Sequence, residues 1–396
     1  MREIKIVEIF KNIFGIPPAD TAFTPYRICP LGAHIDHQKA KITGFAIDKG
    51  IHIAYAPKEN GVIEISSAQF DGIAQWHVND VPRKSAGDWA DHLRGATIAL
   101  GARYPLRRGF CAVVNGELPI GGLSSSAAVI ITFLSILARI NNISLTENEM
   151  IDLALEAENK YVGVSCGRLD QCCEVYCRKD HLLYMDILAD KYELVPVSEK
   201  MPPYKIAIFF SGVERSLAGS KYNSRVDEAK SAAYSLLSYA GIEHGEIKDT
   251  YLTDVSRDVF DKYADRLPDP LKKRATHFFT ECERVELGVK AWRDGDIEEF
   301  GRLVFESGKS SIEQWETGSA ELISLYNIMK NTKGIYGGRF SGAGFKGCCM
   351  ALIDPAYEES VVESVRSEYI AAFPHLADKF SAHICVTADG VKLERG

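Results

Sequence analysis

Apolar and polar residues alternate over residues 45–56 and again over 62–68, and an apolar run at 110–114 leads into a stretch rich in glycine and serine. A period of two over such short lengths marks strands with one buried face. From 124 to about 140 the period changes: Ala, Leu and Ile recur, Gly and Pro are absent, and Asn141-Asn142 closes the run. The order predicted here is strand, glycine loop, helix. A second helix is expected over 147–162, with Thr146 placed to cap it and acidic residues in its first turn. The paired prolines 202 and 203, within 198–204, break the pattern and divide the chain into two expected domains, 1–200 and 201–396. The second half opens with a strand over 205–210. Helical patterns follow over 223–239, 271–291, 297–307 and 320–332. After Gly337-Gly338 come a glycine-spaced loop, an apolar stretch over 348–353, a helix to about 372 and a last strand near 382–386. There is no internal repeat, and strands and helices do not alternate in regular βαβ units. The fold class expected is therefore α+β, not a doubly wound sheet.

A chain of 396 residues exceeds what one hydrophobic core usually organises, which agrees with two domains. With 46% hydrophobic and 25% charged residues, it has the composition of a packed globular protein. A formal net charge of -8 disfavours nonspecific binding to DNA, RNA or anionic lipid. Charges interrupt the apolar residues of the first ten positions, unlike a secretory signal, and no apolar run approaches the roughly 20 residues that span a bilayer. A cytoplasmic location is expected, and with it reduced thiols at the ten cysteines. Cys166, Cys172, Cys173 and Cys177 lie close together on a helix-like stretch. Zinc sites more often use two separated pairs, so these read as small buried core residues.

The densest chemistry lies in Pro119-Ile-Gly-Gly-Leu-Ser-Ser-Ser-Ala-Ala128, between the apolar strand and the helix. Gly121 and Gly122 let backbone approach a ligand closely, successive N–H groups can cradle phosphate oxygens, and the helix N-terminus adds positive potential. Ser124, Ser125 and Ser126 add hydroxyls, one of which could ligate magnesium. By itself such a loop could equally be a serine-capped helix start. A Walker reading of Gly308-Lys309-Ser310 fails, because Leu303 stands where that motif needs glycine and the preceding residues read as helix.

The string Gly122-Leu-Ser-Ser-Ser-Ala-Ala128 resembles the central motif of the GHMP kinases, the family of galactokinase, homoserine, mevalonate and phosphomevalonate kinases. Two further motifs agree in order and spacing. Arg27-Ile-Cys-Pro-Leu-Gly-Ala-His-Ile-Asp-His37 is similar to the galactokinase signature Arg-Val-Asn-Leu-Ile-Gly-Glu-His-Thr-Asp-Tyr, and Ser341-Gly-Ala-Gly-Phe-Lys-Gly-Cys348 to the third glycine-rich motif. The resemblance implies an N-terminal domain like the second domain of ribosomal protein S5, a ferredoxin-like C-terminal domain, and an active site between them. It also implies ATP and Mg2+ as cofactors. Gly121, Gly122, Leu123, Ser124, Ser125, Ser126 and Ala127 would hold the nucleotide, with Trp89 near adenine, although a core tryptophan is an equally plain reading of Trp89. Ser126 and Glu158 would hold the metal. In Glu158-Asn-Lys-Tyr-Val-Gly-Val-Ser-Cys-Gly-Arg-Leu-Asp170-Gln171, Asp170 matches the catalytic aspartate beside the anomeric hydroxyl, and Arg27 is its expected partner. His34, Asp36, Gly167 and Tyr222 fall on sugar-contact positions.

The departure is Ala33, which replaces the glutamate that galactokinases use toward the sugar's 6-hydroxyl. A carboxylate there would repel a sugar acid, and alanine removes that repulsion while leaving room for one more oxygen. The string Pro25-Tyr-Arg-Ile-Cys-Pro-Leu-Gly-Ala-His-Ile-Asp-His-Gln38, and Lys346 within 339–349, also resemble the galacturonokinase branch known from plants. The expected reaction is ATP-dependent phosphorylation of the anomeric hydroxyl of galacturonate. Galactose is the alternative substrate, and a non-catalytic sugar sensor the alternative of another class. Lys346, Lys221 and Arg168 are candidates to pair a C6 carboxylate. Expected partners are a sugar or sugar acid and ATP, without nucleic acid or membrane, in a monomer or small homo-oligomer.

Overall fold

A computed structural model of the chain describes residues 2–83, 86–213 and 218–391, with side chains from 5–83, 86–213 and 222–391. The first half supplies α1 (Arg2–Phe14), β1 (Asp20–Ile28), β2 (Lys41–Lys58), β3 (Val62–Ser67), β4 (Ile73–His77), α2 (Asp91–Gly101), β5 (Gly109–Gly116), α3 (Ser125–Ile140), α4 (Glu147–Glu156), α5 (Leu169–Tyr176), β6 (His181–Asp186) and β7 (Lys191–Pro196). These strands form one sheet, in the order β4-β3-β5-β2-β6-β7, with β1 also paired to β2. Its organiser is β2. Its 18 residues are rich in Ile, its side chains alternate along the strand, and it pairs antiparallel with β1, β5 and β6 in turn. Helices α2 to α5 bring their apolar faces to one continuous core with this sheet, in which Ile53, Phe110, Phe133 and Leu137 are fully buried.

The second half supplies β8 (Lys205–Phe210), α6 (Ala218–Ala240), α7 (Arg257–Tyr263), α8 (Asp269–Asp294), α9 (Ile297–Glu313), α10 (Ala320–Asn331), β9 (Ile335–Phe340), β10 (Cys348–Ile353), α11 (Glu358–Ala372), β11 (Ser381–Cys385) and β12 (Thr387–Ala388). Here the sheet runs β11-β8-β10-β9, all antiparallel. Numbered within this half, the first strand lies between the fourth and third, with the second at the edge, which is the ferredoxin-like order; five helices occupy its first crossover. The chain is thus the expected α+β fold in two parts. After β11, the last strand among the described residues, β12, pairs with β2 of the first sheet.

Most periodic segments form where the sequence predicts them, and the differences are instructive. The helix expected over 147–162 starts at its Thr146 cap, where Thr146 and Glu149 form a reciprocal capping box, but it turns π-helical over Ala157–Val162. Such bulges recur at functional sites because the extra residue re-aims one side chain, here Glu158. Strand β1 carries no clean alternation. Pro25 still faces Gly50, but the register then shifts between Pro25 and Arg27, passing over Tyr26, and the arginine is buried. Gly308-Lys309-Ser310 lies inside α9, as the failed Walker spacing requires. Among the described residues no helix is long and apolar enough to cross a membrane.

Candidate active site

Where the two sheets meet, glycine touches glycine. A Cβ added at Gly121 would lie 3.0 Å from the Gly347 Cα, and one added at Gly347 would lie 2.6 Å from the Gly121 carbonyl carbon. Both residues have positive φ, 131° at Gly121 and 98° at Gly347, so the loop before α3 and the loop before β10 can interlock only as glycines. Ser341 Oγ donates to the Gly122 carbonyl at 2.6 Å, and Arg27 Nη1 donates to the same oxygen at 3.0 Å. The two halves and the inward arginine are thereby tied at one point, beside a cavity of about 470 Å3.

Asp170 stands in the first turn of α5 and accepts a 2.7 Å hydrogen bond from Arg27 Nε. Arg27 is 3% exposed. Burial works against its charge, but the Asp170 carboxylate outweighs burial and holds the guanidinium firmly protonated. Opposite this pair, the Glu158 carboxylate accepts hydrogen bonds from Gln171 Nε2 at 2.6 Å, from Cys166 Sγ at 3.5 Å and from the Ser126 hydroxyl. Burial first, and then the charge on Asp170, push Glu158 up to about 7. Ser124 adopts φ 57°, and its buried Oγ has no hydrogen-bond partner; Ser124, Ser125 and Ser126 all line the cavity at the N-terminus of α3.

Ala33, His34, Asp36, Gly167 and Tyr222 line the same cavity. Asp36 Oδ2 accepts from the Leu169 backbone N–H at 3.2 Å, and burial followed by the Asp170 charge raises the Asp36 carboxyl to about 6. A Cβ on Gly167 would lie 2.3 Å from that same Oδ2, so only glycine lets the two strings approach. Tyr222 meets His37 edge-on at 6.2 Å. His34 stacks on Trp315 with centroids 5.3 Å apart and planes 6° apart.

Arg27, Ala33, His34, Asp36, Gly121, Gly122, Ser124, Ser125, Ser126, Glu158, Gly167, Asp170 and Tyr222 therefore share one cavity. Leu123 and Ala127 are buried and are not among the cavity's lining residues. Trp89 does not line the cavity; it stacks on Phe70 with centroids 5.9 Å apart. Of the cations considered for a sugar carboxylate, Arg168 is engaged by Asp152 at 3.2 Å and Asp190 at 2.9 Å, and Lys346 is not among the cavity's lining residues. The Lys221 side chain and residues 214–217 lie outside the described residues.

Sequence reasoning passed over three residues, two on α8 of the second half and one on α5 of the first. His277 bridges Ser310 Oγ, at 2.9 Å from Nδ1, and the Ala33 carbonyl, at 3.0 Å from Nε2. Glu281, also on α8, accepts from the Gly32 N–H at 2.8 Å and Ser307 Oγ at 2.5 Å while pairing with Arg284 at 2.7 Å. Glu174, one turn after Asp170, is fully buried with neither carboxyl oxygen partnered; burial, then the Asp170 charge, hold its pKa well above the ordinary carboxyl range. Their signals were ordinary helical positions, a pattern that is shared with any surface charge.

The GHMP kinase N-terminal domain profile matches residues 91–178, and the GHMP kinase C-terminal profile matches 289–371. A galacturonokinase of Arabidopsis thaliana is 37% identical, covering 93% of this chain and 92% of its own length. A galactokinase of Roseiflexus sp. (strain RS-1) is 30% identical, covering 97% of this chain and 95% of its own. Among solved structures, Lactococcus lactis galactokinase complexed with galactose superposes with a TM-score of 0.89 at 27% identity, over 100% of both chains. A mevalonate kinase shares the fold alone, with a TM-score of 0.65 at 15% identity. The chain belongs to the GHMP kinase family, on its galactokinase-like side, and is an ATP-dependent sugar kinase.

Proposed function

We propose that this kinase phosphorylates the anomeric hydroxyl of D-galacturonate to give galacturonate 1-phosphate. The observation that supports the position of attack is the 2.7 Å Arg27–Asp170 pair in a cavity lined both by the glycine–serine loop and by His34, Asp36 and Tyr222. A hydroxyl placed there can donate to Asp170, which orients it and accepts its proton as the bond to phosphorus forms. Arg27 neutralises charge on the transferred phosphoryl oxygens. Gly121, Gly122 and the serines at the start of α3 hold the nucleotide phosphates with backbone N–H groups. His34, Asp36, the backbone at Gly167 and Tyr222 fix the sugar.

Mg2+ is part of the same proposal. Magnesium typically takes one or two protein carboxylates and completes its shell with phosphates and water. Glu158 and the Ser126 hydroxyl, already in contact with each other, are hard oxygen donors of that kind. When bound, the ion neutralises phosphate charge; Glu158 and Ser126 orient it, and Gln171 orients Glu158.

The choice of a sugar acid rests on Ala33. It is 6% exposed and lines the sugar end with no carboxylate of its own, where a glutamate would meet a C6 carboxylate at close range. The 37% identity to a galacturonokinase supports this substrate. Galactose remains the second reading, supported by the 0.89 TM-score to a galactose-bound galactokinase.

Phosphorus NMR of the product tests the position of attack: a phosphate coupled to the anomeric proton is expected, and a phosphate on any other carbon contradicts the proposal. Asp170→Asn should bind ATP and sugar normally and lose at least about 100-fold in kcat. Turnover within threefold of the native rate would remove Asp170 from the chemistry.

A further inference from the structure

His34 is held in an expensive position. Its φ of 63° is left-handed, a conformation that costs a non-glycine residue about 1–2 kcal/mol, and its ring is 5% exposed. Stacking on Trp315, with His277 tilted against it at 5.9 Å, fixes the ring plane. Its Nε2 is nevertheless buried without a hydrogen-bond partner, on a residue that lines the sugar end of the cavity beside Ala33. Buried polar atoms left in this state usually await a ligand or water.

The surroundings say what kind of ligand. The groups that work against a charge on the His34 ring are Arg339 from β9, His277 from α8, His37 from the turn after β1 and Arg27 from β1. The acids nearby are committed. Glu281 on α8 serves Arg284, Ser307 and the Gly32 N–H; Asp170 serves Arg27; Asp36 accepts from Leu169. Burial, then this positive field, holds the His34 imidazole neutral, well below its ordinary pKa. An anion at Nε2 would reverse that balance, because its charge opposes that field and offsets the cost of charging the buried ring.

Resting on the galacturonate reading, we propose that His34 is the partner of the sugar's C6 carboxylate and takes up a proton as the sugar acid binds. The bound state is then an imidazolium–carboxylate pair beside Ala33, formed from a neutral histidine, one solvent proton and the carboxylate. A neutral sugar offers a C6 hydroxyl, which can hydrogen-bond the neutral ring and needs no proton. Discrimination between sugar acid and sugar would thus be tied to pH: between the His34 pKa in the free chain and its raised value in the complex, galacturonate affinity should fall about tenfold per pH unit, and level off above the latter.

Calorimetric titration of the full chain with galacturonate, repeated at one pH in buffers of different ionisation heat, counts the protons directly. About one proton bound per galacturonate is expected, with none for galactose and none for galacturonate in His34→Asn. In 15N-histidine-labelled native protein the His34 ring nitrogens should move to the imidazolium range on adding galacturonate, a readout that survives if the variant folds poorly. Galacturonate binding without proton uptake, or uptake that persists in His34→Asn with His34 neutral by NMR, overturns this inference and leaves the substrate standing. Binding of galactose but not galacturonate overturns the substrate as well.

Discussion

Asp36 shows how a single side chain trades stability for binding. Its carboxyl is raised from 3.8 to about 6 by burial and by Asp170, so the folded chain holds that proton more tightly than the unfolded chain does. Stability from this group is therefore full below pH 4 and lost as pH rises through about 6, at a cost near 3 kcal/mol above that pH. Asp36→Asn should raise the melting temperature at pH 7.5 by several degrees and leave it nearly unchanged at pH 4. The same variant should lose about 10- to 100-fold in kcat/KM for the sugar, since an ionised acceptor to a sugar hydroxyl is gone. In the native enzyme, kcat/KM for sugar should fall as pH drops below about 6, as Asp36 protonates. Ala33→Glu tests the neighbouring position. It should cut kcat/KM for galacturonate by about 100-fold or more and spare or improve that for galactose; an equal loss on both sugars would indicate a packing defect instead. The resemblance of its motifs made Arg27, Asp36, Glu158 and Asp170 candidates for one site before any fold was known, and all four line one cavity. Trp315 was not a candidate. It follows α9 without a motif, and only the tertiary stack on His34 gives it meaning.

At the level of elements, local chemistry explains both the accurate predictions and the gaps. Helix α3 and strand β8 read directly from periodicity, since each keeps one period and ends at a clear stop. Strand β1 and the π-helical turn over Ala157–Val162 did not read, because a bulge and a π-turn are breaks in period whose purpose is to aim Arg27 and Glu158. Helix α8 read as a helix but not as a strut. Its Glu281 is fully buried, and although burial alone would raise it, Arg284, His277 and Arg339 bring its carboxyl down to about 2. A depressed carboxyl contributes stability that is present above its unfolded value and is lost as pH falls toward about 2. Glu281→Ala leaves the Gly32 N–H, Ser307 and Arg339 without their shared acceptor and should cost about 3–5 kcal/mol in chemical denaturation at pH 7. A cost below 1 kcal/mol would show that the turn carrying Ala33 and His34 does not depend on α8.

For the whole molecule, the candidate site lies where the two halves meet through glycines. Gly121 and Gly122 from the first half, and Gly347 from the second, come too close for any Cβ, and Ser341 and Arg27 share the Gly122 carbonyl across that seam. Strand β12 reinforces it by carrying the end of the described chain back onto β2. Sequence separation hid this seam: Ser341 contacts a residue 219 positions away, and no local pattern encodes such a pairing. The motifs showed which loops matter, and the fold shows why they must be glycine.

The most direct test is ATP-coupled turnover of the purified chain on galacturonate, galactose, glucuronate and mevalonate under identical conditions. A cavity with Ala33 and His34 at its C6 end predicts that kcat/KM is highest for galacturonate, by about tenfold or more over galactose, and negligible for mevalonate. A higher kcat/KM on galactose would contradict the account: the Arg27–Asp170 chemistry would stand, and the sugar-acid pocket would not.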